Sequence, residues 1–374
     1  MKQRTFNILL TVLFCLFIGG MFLGSLILPD RDFSQLENRK LAQTPALSLE
    51  NITTGKFMED AEDYVNDQIL GRDFWVALKA WSERVSGKQE NNGVYFAKED
   101  TLISRVDTPE QSTLDTNAGY VNALVDNVDV PVYFGIIPSA AEIWSDRLPE
   151  GAPTADEKAI IDRLYNEVQT HTIDLYSALA QHKSEDLYYR TDHHWTSLGA
   201  YYGYTALMDA MGLEAVPLDE SQKVTVSEDF YGTLFSSSGV RWLPPDHIDR
   251  YISDEGVTVT AYPNGTPEPG SLYVDSYLEV KDKYSSFLGG NKPLCVIETE
   301  HTDAPKVLVI RDSYADSLAP FLTQNFSEIH LFDPRMNLTS VKDYVVQNEI
   351  DSVVVLYSIS NFFAKGSQLF VLGG

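Results

Sequence analysis

Between Asn7 and Leu28 the chain reads NILLTVLFCLFIGGMFLGSLIL, without a single charged residue. A helix over this stretch, at about 1.5 Å per residue, matches the roughly 30 Å hydrocarbon core of a bilayer. Lys2 and Arg4 stand before it, and basic residues on that side predict a cytoplasmic stub at 1–6 with everything beyond Pro29 outside the cytoplasm. No A-x-A-like cleavage site stands near Gly24–Ser25. The expectation, preferred over a removed signal peptide, is therefore an uncleaved single-pass anchor at 7–28, holding an extracellular C-terminal region at the cell membrane.

The exported part has to fold by packing alone. Cys15 lies inside the apolar span and Cys295 is the other cysteine, so no disulfide can form beyond the anchor. With 374 residues there is chain enough for one large domain and a smaller accessory region. Acidic residues number 54 against 28 Lys plus Arg, a formal net charge of -26. That balance excludes nucleic acid and any polyanion held by bulk electrostatics, and favours a neutral or cationic ligand.

Residues 29–50 are polar with scattered apolar positions and read as a linker. Over 57–86 the spacing of Phe57, Ala61, Tyr64 and Val65, then Phe74, Leu78 and Trp81, predicts an amphipathic helix pair broken near Gly71. VPVYFGIIP at 130–138 is apolar almost throughout, as a strand covered on both faces must be. A helix over 155–170 follows, and then TIDLYSAL, whose first residues suit a strand. Thr196 can cap a helix running to Met211 and stopped by Gly212. Strands return at 306–312, 328–333 and 351–358. Strands separated by helix-length segments predict an α/β sandwich with a largely parallel sheet. Between about 214 and 300, short alternating stretches with Asn-Gly and Pro-Gly turns predict a β-rich insertion or rim. The domain plan is a linker and helical region at 29–118 and an α/β domain at 119–374.

Chemistry concentrates in two segments. Ser313, in VLVIRDSYADS, follows an apolar strand and precedes a helix. A serine there is presented at the carboxyl end of a sheet strand, with its own N–H near a helix start that can stabilise an oxyanion. A plain helix cap fits the same residues. In YYRTDHHWTSLG, at 188–199, a carboxylate can orient an imidazole only if both point the same way. In an extended segment those are positions i and i+2. That selects Asp192 with His194 and turns His193 to the opposite face, giving an Asp, His, Ser triad in chain order. A surface turn and a metal site remain as alternatives, although the other histidines show no tight ligand spacing. Trp195, Tyr188, Tyr189, Phe230 and Tyr231 suit either sugar stacking or a core.

YYRTDHHWTSLGA, then DFYGTLFSSSG, VLVIRDSYADS and IHLFDPR, together resemble the bacterial DHHW protein family over roughly residues 31–363. That family is similar to the SGNH-hydrolase-like domains of alginate O-acetyltransferase proteins. The resemblance implies an SGNH-like three-layer α/β fold and a triad of Ser313, His194 and Asp192, with no cofactor and no metal. It departs from the SGNH pattern at Arg311, where a glycine is usual. Arg311 is then an electrostatic contributor or a structural ion pair, and Asn361 an oxyanion donor or a cap. Trp195 is the aromatic nearest the expected base. The function implied is O-acetyl transfer or ester cleavage on a cell-surface glycan, with a multispanning membrane O-acyltransferase as the acyl-supplying partner. A non-catalytic glycan-binding or assembly protein on the same fold is the alternative.

Overall fold

After the N-terminal span, the longest apolar runs become the middle of one sheet. In the computed structural model, which describes residues 3–373, the chain divides into two compact units. The larger comprises Gln89–Leu234 and the chain from Leu243 onward; the smaller runs up to Lys88 and takes in Phe235–Trp242.

The larger unit is built on eight strands: β1 (Val132–Ile137), β2 (His171–Thr172), β3 (Thr258–Ala261), β4 (Glu268–Pro269), β5 (Leu294–Glu298), β6 (Lys306–Arg311), β7 (Glu328–Phe332) and β8 (Ser352–Ser358). Their order across the sheet is β4-β3-β5-β7-β6-β8-β1-β2. The five strands from β7 to β2 are mutually parallel. Every residue of the central strand β8 is buried, which is why it carries no polar alternation: helices cover both of its faces. One helical group comprises Gln111–Asn127, Glu157–Glu167 and Val341–Gln347, and another Leu175–Ala180, Ser197–Met211 and Ala315–Leu322. This is the α/β architecture expected, with a large, mostly parallel sheet.

Two readings become more definite. Most of the β-rich stretch is a rim of the sheet, which β3, β4 and β5 extend as antiparallel strands, while Val224–Phe230 with Asp246–Arg250 form a separate hairpin. TIDLYSAL gives only its first residue, Thr172, to β2 and then a helix, because Asp174 accepts the Ser177 N–H at 3.0 Å and caps Leu175–Ala180. The helix after the DHHW segment runs as read. Thr196 Oγ1 accepts from Gly199 N at 3.1 Å, and Gly212 closes the helix at φ +68°.

In the smaller unit, Gln3–Ile27 is one helix long and apolar enough to cross a membrane; Lys2, on which the orientation partly rests, lies outside the described residues. The helices Lys56–Gln68 and Arg72–Val85 meet at Gly71, whose φ of +69° makes the break. The stretch read as linker contains a small hairpin, Phe33–Ser34 with Arg39–Lys40. Arg39 grips Asp67 with two nitrogens, at 2.8 and 2.5 Å, and fixes that hairpin to the helix.

Candidate active site

Parallel strands deliver their carboxyl ends to one edge, and β6, β8 and β1 are in register there: Arg311 lies beside Leu356, and Ser358 beside Ile137. Asp312 locks that edge. Its Oδ1 accepts the Tyr314 N–H at 3.0 Å, and its Oδ2 accepts from Ser358 N (2.9 Å), Ser358 Oγ (2.5 Å) and Asn361 Nδ2 (2.8 Å). The turn into the helix Ala315–Leu322 is thereby rigid. Ser313 is the single residue between Val307 and Thr323 that is not buried. No protein acceptor takes its backbone N–H among the described residues, so that N–H is available to an incoming group.

The partner side chains arrive on a tight loop. Tyr188 and Trp195 pair as an isolated bridge, and Tyr189 N donates to His194 O at 3.2 Å. Residues 190–194 form a series of bends between them. His194 Nδ1 lies 2.6 Å from Asp192 Oδ1, and His194 Nε2 lies 2.8 Å from Ser313 Oγ. A carboxylate only accepts, so Nδ1 carries the proton and Nε2 presents its lone pair to the serine hydroxyl. Asp192 Oδ1 also takes the His194 N–H at 3.0 Å, while Oδ2 takes Thr233 N at 2.7 Å and Thr233 Oγ1 at 3.0 Å. Burial opposes the charge on Asp192. The adjacent imidazoles of His193 and His194 and the Thr233 amide more than reverse this, holding the carboxyl well below its usual range.

Tyr284 completes the support. Its ring stacks on His194 with centroids 3.8 Å apart and planes 9° apart, and its hydroxyl donates to Ser313 O at 2.9 Å. His193 packs on His194 at 3.9 Å, tilted by 36°. His194 is thus held between two rings, free to exchange a proton but not to turn.

Three expected site residues do other work. Trp195 is fully buried, with its indole N–H on Tyr314 O at 2.9 Å, so it braces the serine turn and offers no face to a sugar. Tyr188, Tyr189 and Phe230 are buried as well. Arg311 is fully buried. It reaches Asn291 Oδ1 at 2.8 Å and pairs with Asp316 at 2.9 Å, the structural ion pair rather than a contributor at Ser313. Asn361 spends its amide on Asp312. The alternation argument also failed for His193. The loop bends instead of extending, so His193 shares a side with His194, and its Nδ1 lies 2.7 Å from Thr233 Oγ1.

Sequence reading missed Gly232, Thr233 and Tyr284. A Cβ on Gly232 would stand 2.2 Å from Asp192 Cβ, so only glycine lets this loop approach the carboxylate. The signal was present in DFYGTLF, a segment that carries the resemblance but whose contact with Asp192 spans 41 residues of sequence. For a metal, Asp192, His193 and His194 each bring one ligand atom within 4.8 Å of the others. Binding through Asp192 and the Nδ1 atoms would have to displace the Thr233 and His194 hydrogen bonds.

The DHHW protein family model matches residues 107–332. The chain belongs to this family. A DHHW family protein from Eubacterium siraeum DSM 15702, known from a crystal structure, is 26% identical with a TM-score of 0.66, over 75% of this chain and 95% of that one. Bacillus cereus PatB1, in a structure with a sulfonyl adduct, is 21% identical with a TM-score of 0.61, over 74% and 97% of the two chains. The O-acetyltransferase domain of Pseudomonas putida AlgJ is a weaker likeness, 16% identical with a TM-score of 0.46, over 73% and 93%. A search of curated protein sequences returned no match.

Proposed function

We propose that this DHHW protein is a membrane-anchored, extracytoplasmic O-acyltransferase or esterase that handles acetyl groups on a cell-surface polysaccharide. The observation that carries the reading is the unbroken chain from Asp192 through His194 to the accessible Ser313 hydroxyl, with contacts of 2.6 and 2.8 Å. His194 Nε2 takes the Ser313 proton as Oγ attacks the acyl carbonyl, and Asp192 supports the imidazolium. The Ser313 N–H, at the start of a helix, faces the developing oxyanion. The leaving group departs with the proton from His194 and leaves acyl-Ser313. An acceptor hydroxyl then gives its proton to His194 and attacks the acyl carbon. The Oγ–acyl bond breaks, and the proton returns to Ser313.

Water as acceptor makes an esterase; a sugar hydroxyl makes a transferase. The resemblance favours transfer, with a multispanning membrane O-acyltransferase supplying the acyl group. The net charge of -26 favours a neutral or cationic glycan. The helix Gln3–Ile27 supports anchoring.

Labelling tests this directly. Because a sulfonyl adduct is known on PatB1, the purified protein is treated with a sulfonyl fluoride or a fluorophosphonate and the modified residue is mapped by mass spectrometry. Modification at Ser313 that vanishes in Ser313→Ala and slows in His194→Ala supports the nucleophile. Labelling that is absent, or unchanged in Ser313→Ala, overturns it.

A further inference from the structure

The second histidine of the motif has no place in the scheme above, yet its hydrogen bonding is as determined as that of His194. Thr233 Oγ1 has one proton and two neighbours, Asp192 Oδ2 at 3.0 Å and His193 Nδ1 at 2.7 Å. The ionised carboxylate cannot donate, so the hydroxyl proton goes to Asp192 and His193 Nδ1 must donate to Thr233. Neutral His193 therefore keeps its lone pair on Nε2.

The Nδ1 atoms of both histidines lie on the Asp192 side, 2.6 and 3.6 Å from the same carboxylate oxygen. Their Nε2 edges turn away from it, and that of His194 turns toward Ser313. His193 Nε2 has no hydrogen-bond partner among the described residues and is not among the buried unpartnered atoms. The His193 side chain is 36% exposed. Burial of the remainder, with His194 alongside, holds its pKa down to about 4, so the ring stays an uncharged acceptor at neutral pH. Two imidazole acceptors thus stand side by side at the nucleophile, their ring centres 3.9 Å apart.

We propose that this pair is a vicinal-diol site: one hydroxyl of a 1,2-diol gives its proton to His194 and attacks acyl-Ser313, while the neighbouring hydroxyl donates a hydrogen bond to His193 Nε2. The proposal rests on the Ser313 reading and specifies the acceptor class, an uncharged sugar with adjacent free hydroxyls. His193 forms no covalent bond and receives no proton. It orients the acceptor, so its loss acts on the choice of acceptor over and above whatever acylation loses when the ring packed on His194 is removed.

The test uses the full chain in detergent with p-nitrophenyl acetate as donor. Ethane-1,2-diol and 2-methoxyethanol serve as acceptors, because they are alike in size and only the diol has a second donor. The pre-steady-state burst reports acylation, and the ratio of acetylated acceptor to acetate reports transfer. The parent protein should favour the diol about tenfold, the effect of one hydrogen bond. His193→Ala should abolish that preference, and because both acceptors are measured on the same acyl-enzyme their ratio is independent of how far the burst falls. His193→Gln, which can place an amide oxygen where Nε2 stands, should restore part of the preference. His193→Asn, which keeps only the donor to Thr233, should not. A parent with no preference, or a preference that survives His193→Ala, overturns the assignment. So does a loss of burst that parallels the loss of transfer in all three variants, since that marks a prop for Asp192 and not an acceptor site. A burst that persists in Ser313→Ala has a different signature: it removes the nucleophile, and this site with it.

Discussion

Gly232→Ala puts one methyl group against the carboxylate on which the proposed mechanism depends. Gly232 does not have positive φ, so the backbone accepts alanine there and the effect comes from the side chain alone. The new Cβ would lie 2.2 Å from Asp192 Cβ, 2.3 Å from its Oδ2 and 2.6 Å from its Cγ. Non-bonded carbons rest at about 3.5–4.0 Å, so the carboxylate must retreat by more than about 1 Å. That is enough to break its bonds to Thr233 and to move His194 off the Ser313 hydroxyl. A misplacement of this size commonly costs about 10²-fold in rate, and overpacking costs about 1–3 kcal/mol in stability. The assay is the acetyl-ester burst together with the second-order rate of fluorophosphonate labelling. Both are taken at a temperature where circular dichroism shows parent and variant equally folded. Thr233→Ala, which removes only one of the two Oδ2 donors, is the graded control at about tenfold. A folded Gly232→Ala protein that labels within twofold of the parent would refute the argument that Asp192 positions the base.

Other outcomes follow from the same contacts. Asp192→Asn, which cannot hold His194 in its present tautomer, should lower ester cleavage by about 10⁴-fold, as should His194→Ala, and should also lower the melting temperature because the donors on the buried carboxylate lose their acceptors; stopped-flow kinetics on protein shown to be folded decides. Fully buried Glu157, bonded to Ser139 Oγ at 2.6 Å, has its pKa pushed by burial from 4.5 to about 7. The folded state then binds the proton more tightly than the unfolded state. Its contribution is present below pH 4.5 and is lost as pH rises through about 7, amounting to about 3 kcal/mol. Urea melts of parent and Glu157→Gln across that window should diverge, and parallel curves would count against it. Oligosaccharide affinity should fall with acidic sugar content and recover partly with salt; tighter binding of polyuronates at low salt would exclude the neutral-glycan reading. Protease added to wall-stripped cells should digest the C-terminal region, and protection would reverse the orientation.

The fold was legible wherever burial wrote itself into composition. β1, β6, β7 and β8 are covered strands, and their near-continuous Val, Ile and Leu leave few other readings. β3 and β5 were harder, because strands at the margin of a sheet alternate much as a free hairpin does, and local pattern does not say what they pair with. At the site, Asp192, His194 and Ser313 could be chosen because their chemistry is specific. Gly232 and Tyr284 could not, since a glycine's value lies in the approach of another segment and a tyrosine's in the ring it covers. His193 was misplaced by assuming a strand where the loop bends. Trp195 follows His194 and Arg311 stands two residues before Ser313, yet both turn into the interior, and Asn361, on a separate segment, bonds to Asp312.

The sheet ends on both sides in strands of only two residues, His171–Thr172 and Glu268–Pro269. A long open edge offers a row of unpaired amides onto which a second molecule can add a strand, and Pro269 has no N–H to offer at all. This matters for a chain whose two cysteines, Cys15 and Cys295, are both unpaired. With no covalent cross-link to restrain a partly opened molecule, resistance to fibrous assembly depends on how little edge is exposed. Variants that lengthen either margin, or replace Pro269 with a β-branched residue, should remain active as single molecules and fail by forming aggregates.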